Sequence, residues 1–288
     1  MKTISSFYRS KTGLQNCLDN LSSFCTSWMM KIIPKKTKIM VFEKRARKKC
    51  SDFHFLIDSQ IIDVVQEYTY LGSRMSSSGK FSVSREHLKE KALHALFSLR
   101  WHTNLSKLTA ALACKIFDTM ISPILTHNSE IWGVYAKPDF KTWDGSQVEK
   151  AHLQFCRRYL EVNNKASNIA CRAELGRFPL NITINQKVLK YILYIQSKDE
   201  ESLVKQAFLM AFDLHCNGKN SFHSHLMNMS EYFKLPDFNP NLLDIAMVKS
   251  YVSSMKQGYI SYWQNTLQRS KKLELLDLLK PIIPPLVT

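Results

Sequence analysis

Little in this sequence bends the chain or cross-links it. Eight Gly and nine Pro among 288 residues set aside collagen-like and low-complexity chains. The seven Cys (17, 25, 50, 114, 156, 171 and 216) are odd in number and contain no Cys-x-x-Cys pair. A disulfide framework is therefore not expected, and the thiols should be reduced and act mostly as small core hydrophobes. No apolar run approaches the roughly 18 residues that span a bilayer, so no membrane partner is expected. A basic-then-apolar signal pattern is missing from the N-terminus, which points to the nucleus or cytoplasm rather than to secretion. Gly-rich phosphate loops, a Gly-x-Ser-x-Gly elbow, a His-Glu-x-x-His helix and adjacent aspartates are also missing. The common hydrolase and nucleotide-binding signatures are thereby excluded.

Acid is scarce as well. Forty Lys and Arg stand against 24 Asp and Glu, for a net charge of +16. Residues 1–50 hold 12 of the basic side chains and only Asp19 and Glu43 as acids. A field of that sign favours phosphate backbones or anionic surfaces; the plainer alternative is a protein that is merely basic. The remaining composition is globular, 45% hydrophobic and 11% aromatic, enough for one large core or two modest ones.

Periodicity predicts a helix over 11–28, with Leu14, Leu18, Leu21 and Cys25 on one stripe and Trp28 closing it. Thr37 to Phe42 reads as a strand and 43–49 (EKRARKK) as a loop. Residues 53–57 and 61–71 read as short strands of a small antiparallel sheet, with Asp58-Ser59 as the turn. Ser76 to Gly79 marks the first break. Helices follow: one with Leu88, Ala92, Ala95, Leu96 and Leu99 on a face, then one with Leu108, Leu112, Ile116, Met120 and Ile121, stopped by Pro123. Lys137 to Gly145 reads as a linker. Val148, Cys156, Tyr159 and Leu160 begin a third helix, and Pro179 marks a turn before Val188, Leu189, Ile192 and Ile195. A soft boundary falls at Leu235-Pro236-Asp237, with helices again over 242–263 and 273–279. The fold class is mainly α with a small antiparallel β element near the N-terminus (α+β), divided as 1–76, 77–136, 137–235 and 236–288.

Several segments in order carry a family likeness: LQNCLDNL (14–21), Trp28, KTKIMVF (36–42), YTYLG (68–72), ISPILTHNSEIWG (121–133), VEKAHLQFCRRYLEV (148–162), RAELGRFPLNI (172–182) and YWQNTLQRSKKLELLDLLK (262–280). Together they resemble the C-terminal half of the reverse transcriptase of non-LTR (LINE-type, jockey-like) retrotransposons. The resemblance implies the end of the polymerase palm over 1–76, a helical thumb over 77–136, a helical linker over 137–235 and a C-terminal helical segment. Departures from the family pattern are Ile32-Ile33-Pro34 before the KTK element, His127-Asn128 before SEIWG, and Glu161 where a glycine is usual.

In the family, nucleotidyl transfer uses two divalent metals held by an aspartate of an early palm strand and an Asp-Asp box. Counted back from Gly13, that box would fall near Met1 to Thr3 or upstream, and no carboxylate is there. The expectation is a chain that catalyses nothing by itself and needs no cofactor, Mg²⁺ belonging only to the intact family enzyme. Its expected partners are RNA or DNA as a template–primer duplex, and the missing palm and fingers portion if supplied. The resemblance places Lys36 of the KTK element near the incoming triphosphate, counts Lys38 of the same element among the nucleic-acid-binding residues, and puts Tyr70, Leu71 and Gly72 at the primer grip. Lys89 and Lys91, off the apolar face of the helix beginning at Arg85, would follow the duplex backbone. Read without the family, these are a solvated lysine before a strand, a strand end with a permissive glycine, and a solvated helix face.

Lys44, Arg45, Lys48 and Lys49 allow three readings: a nuclear-localisation run, a loop that tracks phosphates, or a solvated loop between strands. Asp199, Glu200 and Glu201 sit at a helix start, where acids complement the dipole without a metal. His215, Cys216, His223 and His225 cluster, but adjacent ligands and the lack of a second Cys pair make zinc a poor fit. Two functional alternatives stand beside the polymerase fragment: a repurposed helical nucleic-acid-binding or interaction protein, and a non-functional transposon relic.

Overall fold

The computed structural model describes residues 10–42, 54–103 and 107–269, the side chains of 100–102 apart. Lys44, Arg45, Lys48 and Lys49, and the helix expected over 273–279, lie outside them. The chain is mainly α with a small β element near its N-terminus. It divides into two compact units, residues 1–84 and 85–288. No helix among the described residues is long and apolar enough to cross a membrane.

In the first unit, α1 (Lys11–Ser27) is capped by the Ser10 hydroxyl, which accepts the Gly13 N–H at 3.0 Å. Leu18 and Cys25 are buried, with Leu14 and Leu21 packed beside the small cluster of Leu18, Ile39, Phe55, Ile57 and Ile62. Trp28 does not close the stripe. It is 68% exposed at the helix C-cap, where the chain turns through Met29 at φ 52°.

Pro34 opens a 3₁₀ turn, Pro34–Lys36, a first-turn position that needs no N–H. The strand expected over 37–42 shrinks to β1 (Lys38–Ile39). β2 (Phe55–Ile57) and β3 (Gln60–Val64) form an antiparallel hairpin through Asp58-Ser59, both at positive φ as a two-residue loop demands. β1 adds a parallel rung to the other side of β3, so this sheet is antiparallel only in part. Gln15 completes the free edge of β2: its amide donates to the Leu56 carbonyl at 2.8 Å and accepts the Leu56 N–H at 3.1 Å. A side chain thus stands in for a neighbouring strand. β4 (Glu67–Tyr70) and β5 (Ser73–Ser76) form a separate two-stranded hairpin.

A long helix, α2 (Ser82–His102), leads into the second unit, with Leu88, Ala92 and Leu96 buried as the periodicity predicts. The next element departs from expectation. α3 (Ala110–Ile116) runs into a π turn, Phe117–Ile121, and on into α4 (Ser122–Leu125). Ala113, Cys114, Phe117 and Ile121 are buried, whereas Leu112 and Met120 are exposed. Pro123 does not end the helix; it stands in the first turn of α4, directly after the π turn.

α5 (Ser129–Trp132) follows, and the stretch read as a linker contains α6 (Phe140–Trp143), whose Phe140 and Trp143 are buried. Then come α7 (Gln147–Tyr159), α8 (Asn168–Glu174), α9 (Leu180–Gln196), α10 (Leu203–Cys216), α11 (Phe222–Tyr232) and α12 (Ile245–Gln268). One core gathers Val188, Leu189, Ile192 and Ile195 of α9 with Tyr251, Met255, Tyr259 and Trp263 of α12. Leu235 and Leu243 belong to it too, and Tyr251 Oη donates to the Pro236 carbonyl at 3.0 Å. The segment at 235–237 is therefore stitched into this core.

Candidate functional site

The described candidate interface residues of the first unit fall in two places, around β1 and at the β4–β5 hairpin. Lys36 is exposed at the end of the 3₁₀ turn. Two residues on, Lys38 is held by Asp63 across the parallel rung, Nζ to Oδ2 at 2.5 Å, so its charge is already paired. Tyr70 ends β4, and Leu71 (φ 47°) and Gly72 (φ 84°) make the two-residue loop to Ser73. Both positions need positive φ, which suits glycine and strains leucine. Leu71 is 72% exposed at this tip. Arg74 and Glu67 pair across the hairpin at 2.9 Å.

In the second unit, Lys91 is exposed on α2. Lys89 is not a free cation: its Nζ donates to Glu86 Oε1 and to Gln147 Oε1, each at 3.0 Å, tying α2 to the start of α7. Of the described candidates, Lys36 and Lys91 thus offer exposed ammonium groups, while Lys38 and Lys89 are engaged within the fold.

The strongest polar constellation in the structure was not among the candidates drawn from the sequence. Glu149 and His152 stand one turn apart on α7 and are fully buried, with Arg172 of α8. Glu149 accepts four hydrogen bonds. Oε2 takes the Trp143 indole N–H at 2.7 Å and the Leu180 backbone N–H at 2.8 Å; Oε1 takes His152 Nδ1–H at 2.9 Å and Arg172 Nη1–H at 3.0 Å. Arg172 also donates to Asp144 Oδ1 at 2.7 Å and to Tyr259 Oη at 2.8 Å. Arg177 donates its Nε–H to His152 Nε2 at 2.7 Å and grips Asp118 with both terminal nitrogens, at 2.6 and 3.2 Å. Its guanidinium also lies 4.8 Å from the Phe117 ring centroid.

Charge states follow from these partners. Burial alone would raise the Glu149 carboxyl; His152, Arg172 and the Leu180 N–H outweigh it and hold it down at about 2. Burial pushes the His152 imidazole below its usual range, against the pull of Glu149. Burial pushes the Cys156 thiol up to about 12. Both arginines remain charged: burial works against them, but Tyr259, Glu149 and Asp144 raise Arg172 and Asp118 raises Arg177.

Such a site is closed to chemistry. All four acceptor positions of Glu149 are filled and both ring nitrogens of His152 are used, so neither has a lone pair or proton to lend a substrate. A buried carboxylate with this many donors is a fastener between helices. In the sequence, Glu149 and His152 look like breaks in the periodicity of an apolar stripe. The usable signal was their i, i+3 spacing on the Val148–Cys156 face, where exposure would be wasted.

No group of three His, Cys, Asp or Glu side chains capable of holding a metal occurs among the described residues. His215 accepts or donates at Ser224 Oγ, 3.1 Å away, and its ring lies 5.0 Å from that of His223. A cavity of about 10 Å³ is lined by Trp143, Asn181, Asn185 and Met229. Asn181 Oδ1 and Asn185 Nδ2, both buried, have no protein partner, and the space suits one water rather than a substrate.

Part of the chain is similar to the probable RNA-directed DNA polymerase from transposon BS of Drosophila melanogaster, 25% identical over 130 residues. The alignment covers 44% of this chain and 14% of that protein. It supports a reverse-transcriptase-like relationship. No family model matches the chain, and no solved structure matches it.

Proposed function

We propose that this chain is a non-catalytic portion of a LINE-type retrotransposon reverse transcriptase that holds the sugar–phosphate backbone of RNA or DNA without reading its sequence. The observation that carries the proposal is the match to a transposon RNA-directed DNA polymerase, joined to a net charge of +16. Phosphate neutralisation is the sequence-independent part of nucleic-acid affinity. In this reading the Tyr70-Leu71-Gly72 tip serves as a primer grip, Lys36 and the basic run with Lys44, Arg45, Lys48 and Lys49 contact phosphates, and Lys91 does so from α2. The sequence contains no adjacent aspartates, so the two-metal chemistry of such polymerases falls to residues other than these.

Fluorescence anisotropy with an RNA–DNA duplex and a scrambled duplex, at increasing salt, tests the proposal. Affinity should fall steeply with salt and be alike for both duplexes. Replacing Lys44, Arg45, Lys48 and Lys49 by Ala should flatten the slope by roughly one unit for each lost phosphate contact. Salt-insensitive binding, or none, would defeat it. Incubated with primer, template, Mg²⁺ and dNTPs, the purified chain should extend nothing; template-dependent incorporation would contradict the non-catalytic assignment.

A further inference from the structure

The end of α1 keeps its largest aromatic side chains out of the core. Trp28 is 68% exposed and Phe24, one turn before it, 52%, with ring centroids 6.1 Å apart. The backbone beneath them is held in place. Cys25 is buried between them, and the N–H groups of Trp28 and Met30 donate to the Phe24 and Cys25 carbonyls at 3.2 and 2.8 Å.

Charge around this helix end has one sign. Between Asp19 and Glu43 the sequence contains no acid and four lysines, at 31, 35, 36 and 38. Lys38 is paired with Asp63. Lys31, Lys35 and Lys36 are exposed and form no ion pair among the described residues. The 3₁₀ turn bonds the Lys36 N–H to the Ile33 carbonyl at 3.0 Å, which keeps Lys35 and Lys36 together. The acids that do touch α1, Asp19 and Asp58, bond Gln15 and Ser22, towards its other end.

We propose that the Trp28 ring, with Phe24 beside it, is a stacking platform for an unpaired base of single-stranded RNA or DNA, whose phosphates lie on Lys31, Lys35 and Lys36. This rests on the nucleic-acid-binding reading above and names a second element of it, one that takes single strand rather than duplex. Bases paired and stacked within a duplex have no free face to offer an indole, whereas a single strand does. Aromatic faces set among cations are how proteins hold single strands without reading their sequence. Residues 28–36 span at most about 28 Å even fully extended, so a few nucleotides reach from the ring to all three ammonium groups. A protein partner fits the face less well: lysines interleave with Trp28, Met30 and Ile33, and protein interfaces are depleted in lysine.

The buried indoles of Trp132, Trp143 and Trp263, exposed by 1%, 2% and 0%, make fluorescence a direct probe. In the full chain carrying Trp101→Phe, a 12-nucleotide oligo(dT) should quench tryptophan emission, and a blunt duplex should not. Trp28→Leu should abolish the quench and weaken oligo(dT) binding at least about fivefold by anisotropy, with duplex affinity and circular dichroism unchanged. Trp28→Phe should lose the quench yet bind nearly as well, since a phenyl ring still stacks. Replacing Lys31 and Lys35 by Ala should flatten the oligo(dT) salt slope by about one and a half units. Undiminished oligo(dT) affinity in Trp28→Leu, or an equal loss for duplex, would overturn this inference alone, provided that salt-dependent duplex binding persists. Oligo(dT) binding through Trp28 without any duplex binding would instead uphold it and defeat the template–primer reading.

Discussion

Arg177 donates its Nε–H to Nε2 of His152 at 2.7 Å, and this bond fixes the protonation state of an imidazole with no access to water. Nε2 must present a lone pair, so the single ring proton sits on Nδ1, aimed at Glu149. His152 is thus a neutral link between a buried cation and a buried anion.

The pH dependence of stability follows. The unfolded chain binds a proton at His152 near 6.5, whereas the folded chain resists it, so stability is fully present above that value and falls as pH drops towards the lowered folded value. Glu149 adds a second loss between 4.5 and about 2. At the alkaline end the signs reverse. Cys156, raised from 9.0 to about 12, keeps its proton in the fold, so stability declines above about pH 9. Urea unfolding of wild type and His152→Asn checks the acid limb. The stability difference between them should shift by about 1 kcal/mol per pH unit between roughly pH 6.5 and 5.5. His223 and His225, also lowered by burial, remain in both proteins and cancel. A pH-independent difference would show that His152 is not held neutral.

Removing the anion should cost far more than removing a surface partner. Glu149→Gln leaves Arg172 with Asp144 and Tyr259 alone in a site closed to water, at a cost of about 3–5 kcal/mol. Asp63→Asn breaks the pair with Lys38, whose acid is two-thirds exposed, and should cost about 1 kcal/mol or less. Denaturant titration of both variants decides the order; equal losses would mean the buried network contributes no more than a surface pair.

Which parts of this could be read from sequence depends on how far apart the cooperating residues lie. α1, α2, α7 and α9 were legible because their apolar spacing is local and their buried residues fall on it. The helix around Phe117 was not. Two phases of the 3–4 spacing compete there, and the one through Leu112, Ile116 and Met120 is not the buried one, which runs through Ala113, Cys114, Phe117 and Ile121. The Glu149 network was hidden because its members are spread from Asp118 to Tyr259 and meet only in the packed fold. Gln15 belongs to the same kind: nothing nearby in sequence announces a side chain that completes a strand 41 residues away.

Gly133 tests packing rather than charge. Its φ of −63° is ordinary for any residue, yet a Cβ there would lie 2.4 Å from Ile184 Cγ2 and 3.3 Å from Val188 Cγ2 on α9. Gly133→Ala should therefore destabilise through overpacking by about 1–3 kcal/mol. Adding Ile184→Val leaves the same clash, since valine keeps a Cγ2, while Ile184→Ala relieves it at the expense of a cavity. The double variant with Ile184→Ala should thus be less destabilised than the sum of its two single changes. Strict additivity in thermal or urea unfolding would assign the glycine another role.

The two units should differ in how readily they open. In the first, the buried cluster is Leu18, Ile39, Phe55, Ile57 and Ile62, and β1 contributes two residues to its sheet. The β4–β5 hairpin has no residue buried at all. Isolated two-stranded elements are marginal in water, and one side chain, Gln15, closes the free edge of β2. In the second unit α9 and α12 share a continuous core and the Arg172–Tyr259 bond crosses it. Local opening free energy tracks such buried contact. Native-state hydrogen exchange should therefore show amides of 38–39, 55–64 and 67–76 exchanging through small openings. Those of 185–195 and 251–263 should be protected to nearly the global unfolding free energy. Gln15→Ala should speed exchange in β2 and β3 while leaving α9 unchanged. If both regions exchange alike and respond together to Gln15→Ala, the chain opens as one cooperative block.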